Sequence, residues 1–320
     1  APARGRKRYA PAPMDPGLVD GGQREIGESF LIGPIGYACW RLVTSSLAEA
    51  TTLIETAIDF GMNLIDVADV YGADEDGPGF GACEEMLGRV IASSPTIRQR
   101  MVIATKSGIV PGEPYNSSSV HLRKACEASL RRLGVGTIDL FQLHRPDLFT
   151  HPGEIADALV TLKEQGKIQE IGVCHHTPTQ IMALQAHLPI EIVTTQPQYS
   201  AADLSALRDG TLDQAMELGL TTLARSPLRG GRLGDGPGNA RVPPVRPELL
   251  ATLDRLAERE GAERAAIALA FVLCHPASPV PLIGTQQPER IKAAVAALHV
   301  RLERADLYDI IEASEGVPLP

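Results

Sequence analysis

Short apolar runs alternate with longer stretches of helical period along most of the chain. The runs are "FLIGPIG" near the start, "NLID" at 63–66, "MVIATK" at 101–106, "IDLFQLH" at 138–144, "IQEIGV" at 168–173, "EIVTTQ" at 191–196, "LTTLA" at 220–224 and "VPLIG" at 280–284. Between the first two, Leu53, Ile54, Ala57 and Ile58 recur at i, i+1, i+4 and i+5, one apolar stripe on a helix closed by Gly61. Met86, Leu87, Val90 and Ile91 repeat that spacing, and Leu122, Cys126, Leu130 and Leu133 with Gly134 form a third stripe, which gives Cys126 an ordinary packing role. Strands apolar at consecutive positions and separated by helices imply a parallel sheet covered by helices.

Eight such units predict a closed (β/α)8 TIM barrel over residues 25–320, a fold of typically ~250 residues plus insertions. An open doubly wound sheet is the alternative, but the first strand-to-helix turn, "GPIGYACW", lacks the G-x-G-x-x-G pyrophosphate fingerprint. The Gly/Pro-rich stretch "LRGGRLGDGPGNARVPP" at 228–244 reads as a long loop after the seventh strand. Residues 1–24 read as a disordered or extended arm, with a basic address signal as the competing reading of Arg4, Arg6, Lys7 and Arg8.

Charge narrows the partners. Lys+Arg number 30 and Asp+Glu 39, and the net charge of −9 argues against nucleic acid or an anionic membrane as ligand. No run approaches the ~18–20 continuous apolar residues of a membrane span. The five cysteines are odd in number and contain no C-x-x-C pair, so a cytoplasmic, reduced protein is expected rather than a disulfide framework. Oligomeric state is not legible.

Candidate chemistry collects where a barrel places it, at the C-terminal ends of the strands. Asp66 ends the second strand, with Tyr71 five residues later in "DVADVYG"; Lys106 ends the third in "IATK"; His144 ends the fourth in "FQLHRPD". Each alone has a bland reading, as half of a structural ion pair or a satisfied core histidine. Together, with "NLIDVADVYG", "IATKSG", "GKIQEIGV", "SPLRGGRL" and "PLIGTQQPERI", they resemble the aldo-keto reductase family over roughly residues 25–320, within it a bacterial oxidoreductase subgroup. The resemblance implies metal-independent, NADPH-dependent reduction of an aldehyde or ketone to an alcohol. A phenol of ordinary pKa ~10 is a poor acid at neutral pH unless a cation stabilises its anion. Lys106, held by Asp66, would do this for Tyr71, while His144 would orient the small-molecule carbonyl substrate.

The resemblance also implies cofactor contacts. In similar enzymes Ser and Asn after the fifth strand and Gln after the sixth hold the nicotinamide amide; here Gln196 is present and the Ser-Asn pair is replaced by Cys174 and His175. The stretch "IGVCHHTPTQ" therefore poses a metal question, but neighbouring side chains of an extended strand point to opposite faces and do not easily converge on one ion. No metal is expected. Cys174 and His175 are read as keeping the cofactor role, against the alternative that nothing replaces the missing pair. Arg225 stands where relatives carry a stacking aromatic ring; with Ser226, Leu228, Gly230 and Gly231 it would line the cofactor, or else swing to a phosphate or solvent.

Gly36 and Tyr37 are further implied contacts. Gly284, Thr285, Gln287 and Arg290 form the implied 2′-phosphate pocket, which favours NADPH over NADH. Trp40, Arg145 and His176 are the candidate substrate residues, and their polar mix points to a hydroxylated ketone, a sugar-derived carbonyl or a small aldehyde. Two competing readings are a weakly active, cofactor-binding redox-sensing subunit of the same fold, and a metal-dependent barrel hydrolase, for which no H-x-H or H-E-x-x-H spacing exists.

Overall fold

The apolar run expected to be one first strand breaks at Gly33-Pro34. In the computed structural model, which describes residues 19–73, 77–94, 96–236 and 238–320, β1 (Arg24–Ile26) and β2 (Phe30–Ile32) pair as an antiparallel hairpin, and the first barrel strand is β3 (Gly36–Ala38). The break has a local cause. Asn63 bridges the crossing, accepting from the Gly33 amide at 2.8 Å and donating to the Leu31 carbonyl at 3.0 Å. A Cβ on Gly33 would sit 1.9 Å from the Gly61 carbonyl oxygen, so only glycine lets the two segments pass. Most of the arm expected over 1–24 lies outside the described residues; Asp20 and Arg24 tie its last part to Ser278.

After β3 the chain runs α1 (Leu47–Asp59), β4 (Leu64–Asp66), α2 (Ala82–Ser93) and β5 (Val102–Ser107). A small hairpin, β6 (Ile109–Val110) with β7 (Glu113–Tyr115), precedes α3 (Ser119–Leu133), β8 (Ile138–Leu143), α4 (Pro152–Glu164), β9 (Ile168–Cys174), α5 (Pro178–Gln185) and β10 (Ile192–Gln196). Then come α6 (Ser205–Arg208), α7 (Thr211–Leu218), β11 (Thr221–Ala224), α8 (Pro247–Glu260), α9 (Arg264–Leu273), β12 (Val280–Ile283), α10 (Pro288–Ala294) and α11 (Arg304–Glu315). Among the described residues, β3, β4, β5, β8, β9, β10, β11 and β12 are parallel and close into a barrel in chain order. The fold is the expected (β/α)8 TIM barrel, with β3, which begins at the last residue of the run "FLIGPIG", as its first stave.

Local signals place the helices. Ser46 and Glu49 cap α1 reciprocally, Thr177 and Gln180 do the same for α5, and Gly134 in the left-handed region ends α3. The anticipated stripes are buried: Leu53, Ile54, Ala57 and Ile58 on α1, Leu87, Val90 and Ile91 on α2, and Leu122, Cys126 and Leu133 on α3. They pack in the layer between helices and barrel. A separate apolar stack fills the barrel itself, with Leu64, Val102, Ala104, Leu140, Val193, Leu223, Val280 and Leu282 from the strands and Ile26 and Ile32 from the β1–β2 hairpin. The hairpin thus stoppers the N-terminal end. The C-terminal end is left for polar residues.

A buried charge cluster docks α2 and α3 onto β5 behind those residues. Glu84, fully buried, accepts from the Thr105 hydroxyl at 2.5 Å and from Arg132 Nε at 2.7 Å. Asp69, also fully buried, lies in the turn after β4; burial pushes its carboxyl up, the Ser107 hydroxyl pulls it back, and the Glu84 charge adds to the rise, for a value of about 7. Because the folded state holds this proton more tightly than the unfolded chain, the stability it contributes falls as pH climbs from about 4 to 7. Urea unfolding of the wild type and Asp69→Asn at pH 5 and pH 8 should show the wild type losing about 2–3 kcal/mol relative to the variant; parallel losses would refute it.

Candidate active site

Asp66 closes β4, Lys106 is the penultimate residue of β5, and His144 follows β8, so three neighbouring staves deliver them to one end of the barrel. Lys106 Nζ donates to Asp66 Oδ2 at 2.6 Å and to the Val67 carbonyl at 2.9 Å. Lys106 is 0% and Asp66 1% exposed, which makes this a buried ion pair whose charges neutralise each other away from water. The ammonium lies 5.1 Å from the centroid of the Tyr71 ring, and the His144 ring meets Tyr71 edge-on, centroids 5.9 Å apart at 82°. The four side chains expected together are together.

Their protonation states follow from burial and neighbours. Burial alone would lower the Lys106 ammonium, but the Asp66 carboxylate raises it above the ordinary lysine value, so it stays charged. Burial pushes the Tyr71 phenol up and Lys106 pulls it back, leaving it at about 12 and protonated at neutral pH. Burial, then the Lys106 charge, holds His144 down at about 2, so its imidazole is neutral throughout the working range. A charged amine, a protonated phenol and a neutral imidazole share one corner.

Beneath them lies a polar layer that only partly matches expectation. Asp66 Oδ1 accepts from Gln196 Nε2 at 3.0 Å and from Gln142 Nε2 at 3.3 Å, and both glutamines are buried. Gln142 was not anticipated. Its signal was its place two residues before His144, which by strand alternation gives both the same face. Cys174 donates its thiol to Gln142 Oε1 at 3.6 Å, and burial pushes that thiol up to about 12.

The neighbours of Cys174 diverge from it. His175 takes a left-handed φ of 55°, donates its amide to the Gln196 carbonyl at 3.3 Å, and is held at about 3 by burial and then by the Arg225 and Arg145 charges. His176 is buried with Nδ1 2.8 Å from the Cys174 carbonyl, and burial holds it at about 4. Among the described residues no group of His, Cys, Asp and Glu side chains is arranged to hold a metal ion.

A cleft of about 1080 Å³ runs from Asp66, Tyr71 and His144 past Trp40 and Arg225 to Thr285 and Arg290. Ser226, Leu228, Gly230, Gly231 and Gly284 line it, with Gly234, Asn239 and Val242 of the long loop. Positive φ at Gly230 (62°) and Gly231 (85°) lets that loop turn there. Arg225 is anchored along the cleft wall: its guanidinium donates to Gln198 Oε1 at 2.6 Å, Gln198 donates to Asp203 at 2.6 Å, and Asp203 also pairs with Arg229 at 2.9 Å. Its Nε is buried without a partner, as is that of Arg41.

Arg41 lines the cleft and reaches across the seam between β3 and β12, donating to the Gly284 carbonyl at 2.8 Å and lying 4.6 Å from the centroid of the Trp40 ring. Other expected contacts are set back from the cleft wall. Gly36 is packed within the barrel, where a Cβ would meet Leu282 at 2.7 Å, and Tyr37 spends its hydroxyl on the Thr285 carbonyl at 2.9 Å. Gln287 sits at the N-cap of α10, its amide donating to the Thr285 hydroxyl at 3.2 Å. Cys174, Gln196 and Lys106 lie behind Asp66, and Arg145 acts on His144 and Arg225 through its charge.

The model of the Aldo/keto reductase family matches residues 34–315. The chain is 43% identical over 300 residues to a 6-dehydroglucose reductase of Novosphingobium aromaticivorans, covering 93% of this chain and 97% of that one. It is 33% identical to the oxidoreductase YdhF of Escherichia coli, with 92% and 97% covered, and 30% identical to a 6-dehydroglucose reductase of Agrobacterium fabrum, with 91% and 97% covered. In fold it is similar to the crystal structure of a thermostable aldo-keto reductase, Tm1743, in complex with the inhibitor epalrestat: TM-score 0.77, 24% identity, 91% and 99% of the two chains.

Proposed function

The chain belongs to the aldo/keto reductase family, and from that premise we propose that it uses NADPH to reduce the aldehyde group of a sugar-derived, polyhydroxylated substrate. The observation that carries this reading is the buried Lys106–Asp66 pair set beside Tyr71 and His144 at the head of a long, arginine-bearing cleft. When bound, the reduced nicotinamide supplies the hydride. Tyr71 gives its proton to the carbonyl oxygen as negative charge develops there, and the Lys106 cation lowers the cost of the phenolate left behind. His144, uncharged, hydrogen-bonds that oxygen and fixes its direction without competing as an acid.

The cleft suits an extended, polyanionic cofactor. Arg41 and Arg290 feel each other's charge at its far end, where Thr285 adds a hydroxyl, and a 2′-phosphate would draw on both guanidinium groups. Arg225 sits on the wall beside Tyr71, where its charge repels the cationic oxidised ring more than the neutral reduced one. For the substrate, Trp40, Gln198 and Arg225 offer a mixed surface with hydrogen-bonding groups, and two relatives bear the name 6-dehydroglucose reductase.

A panel of aldoses, hexodialdose-type aldehydes and simple alkanals, followed by NADPH oxidation, should favour the hydroxylated aldehydes; equal rates with plain alkanals would refute the substrate class. Tyr71→Phe should lower kcat at least ~10²-fold while leaving NADPH affinity intact, and a variant as fast as the wild type would remove the proposed acid. In Arg290→Ala the KM for NADPH should rise about tenfold with NADH little changed. Calorimetry should find the reduced cofactor bound more tightly than the oxidised one, the gap narrowing in Arg225→Tyr; equal affinities in the wild type would count against a charged wall at the ring.

A further inference from the structure

We propose that Gln142 and Cys174 are positioning residues for the Tyr71 proton donor: the thiol satisfies and steadies the oxygen of the Gln142 amide, the amide holds the Asp66 carboxylate, and the carboxylate keeps Lys106 against the phenol. The inference rests on the reductase reading above and adds two side chains to it.

An amide presents oxygen and nitrogen in nearly the same shape, so packing alone does not decide which end of Gln142 faces Asp66. The choice matters, because the NH2 end stabilises a carboxylate and the carbonyl end repels it. Asp66 decides it: its carboxylate can only accept, so it takes the amide nitrogen at 3.3 Å, and this turns Oε1 towards Cys174, whose thiol donates to it at 3.6 Å and keeps the buried oxygen satisfied.

The rest of the layer fixes the geometry. Gln142 is the register partner of Lys106 on one side and Gly172 on the other, and a Cβ on Gly172 would come within 3.2 Å of Gln142 Cγ, so glycine there leaves the Gln142 side chain its room. Gln196 is the register partner of Cys174 and shares Asp66 Oδ1 at 3.0 Å. With Oδ1 held by two amides, the carboxylate plane is set and Oδ2 is left to Lys106 at 2.6 Å. If Gln142 is lost, the carboxylate can rotate, Lys106 is held less firmly, and the phenol becomes a weaker acid. A thiol serves this purpose without adding charge to a site that already contains a compensated pair.

The test compares Gln142→Met, Cys174→Val and Cys174→Ser with the wild type and Tyr71→Phe. Four readouts are taken: kcat for aldehyde reduction, KM for aldehyde, Kd for NADPH by fluorescence, and the pH profile of alcohol oxidation, whose rising limb reports loss of the phenol proton. Gln142→Met should lower kcat about tenfold and move that limb up by about one pH unit, with Kd for NADPH unchanged. Cys174→Val should shift both in the same direction by about threefold, and Cys174→Ser, which restores a donor, should return them towards wild type.

Wild-type kcat and limb in Gln142→Met, or Cys174→Ser behaving as Cys174→Val, overturns the inference. So does a weaker Kd for NADPH with an unmoved limb, since these side chains would then be serving the cofactor directly. Should Gln142→Met fail to fold, the two Cys174 variants decide. If the wild type reduces aldehydes, Tyr71→Phe does not, and the positioning variants are normal, only this inference fails; if the wild type itself is inactive, the reductase reading fails with it.

Discussion

An ammonium group and a carboxylate 2.6 Å apart, both removed from water, set the terms for the rest of this molecule. Neither is tolerable alone in such a place: removing one partner of a buried pair typically costs 3–5 kcal/mol, because the other is left as an uncompensated charge. The barrel therefore has to bring β4 and β5 side by side in one register, with Asp66 opposite Ala104 and Lys106 two residues further along. In the proposed chemistry, the close placement of Tyr71 and His144 depends on that pair being fixed first. The surrounding amides, the Val67 carbonyl and the cluster around Glu84 and Asp69 brace the pair or the elements bearing it.

What the sequence made legible is what strand periodicity controls. Asp66, Lys106 and His144 stand at the ends of apolar runs, and a run of known direction in a barrel has only one functional end. Helix stripes and caps were equally local, and they landed where the spacing put them. The β1–β2 hairpin was missed because a Gly-Pro pair inside an apolar run does not by itself distinguish a bent strand from two separate ones; the decisive contact, Gly33 against Gly61, lies across the chain. The hydrogen bond of Arg41 to Gly284 is another contact of this kind. Barrel closure makes β3 the neighbour of β12, an adjacency absent from the one-dimensional order, and that seam brings Arg41 to Gly284.

The stretch "IGVCHHTPTQ" shows how the same residues change meaning with depth. On paper it offers three metal-ligating side chains in a row. In the fold, Cys174 turns inward to an amide, His175 enters a left-handed backbone conformation, and His176 hydrogen-bonds the carbonyl of Cys174. Gln196, expected at the cofactor, is engaged with Asp66, and Gln142, which looked like part of a plain apolar run, is its counterpart. Cys174, Gln142, Asp66 and Gln196 are thereby joined in one buried hydrogen-bonded layer.

The apolar stack inside the barrel carries a consequence for turnover. Leu64, Val102, Ala104, Leu140 and their neighbours, closed off by Ile26 and Ile32, lay an apolar floor beneath the polar layer. On the proposed mechanism, a phenol standing above such a floor regains its hydrogen most directly from the open side, by the route that admits the reactants. Reloading of the proposed acid would thereby be tied to emptying of the site.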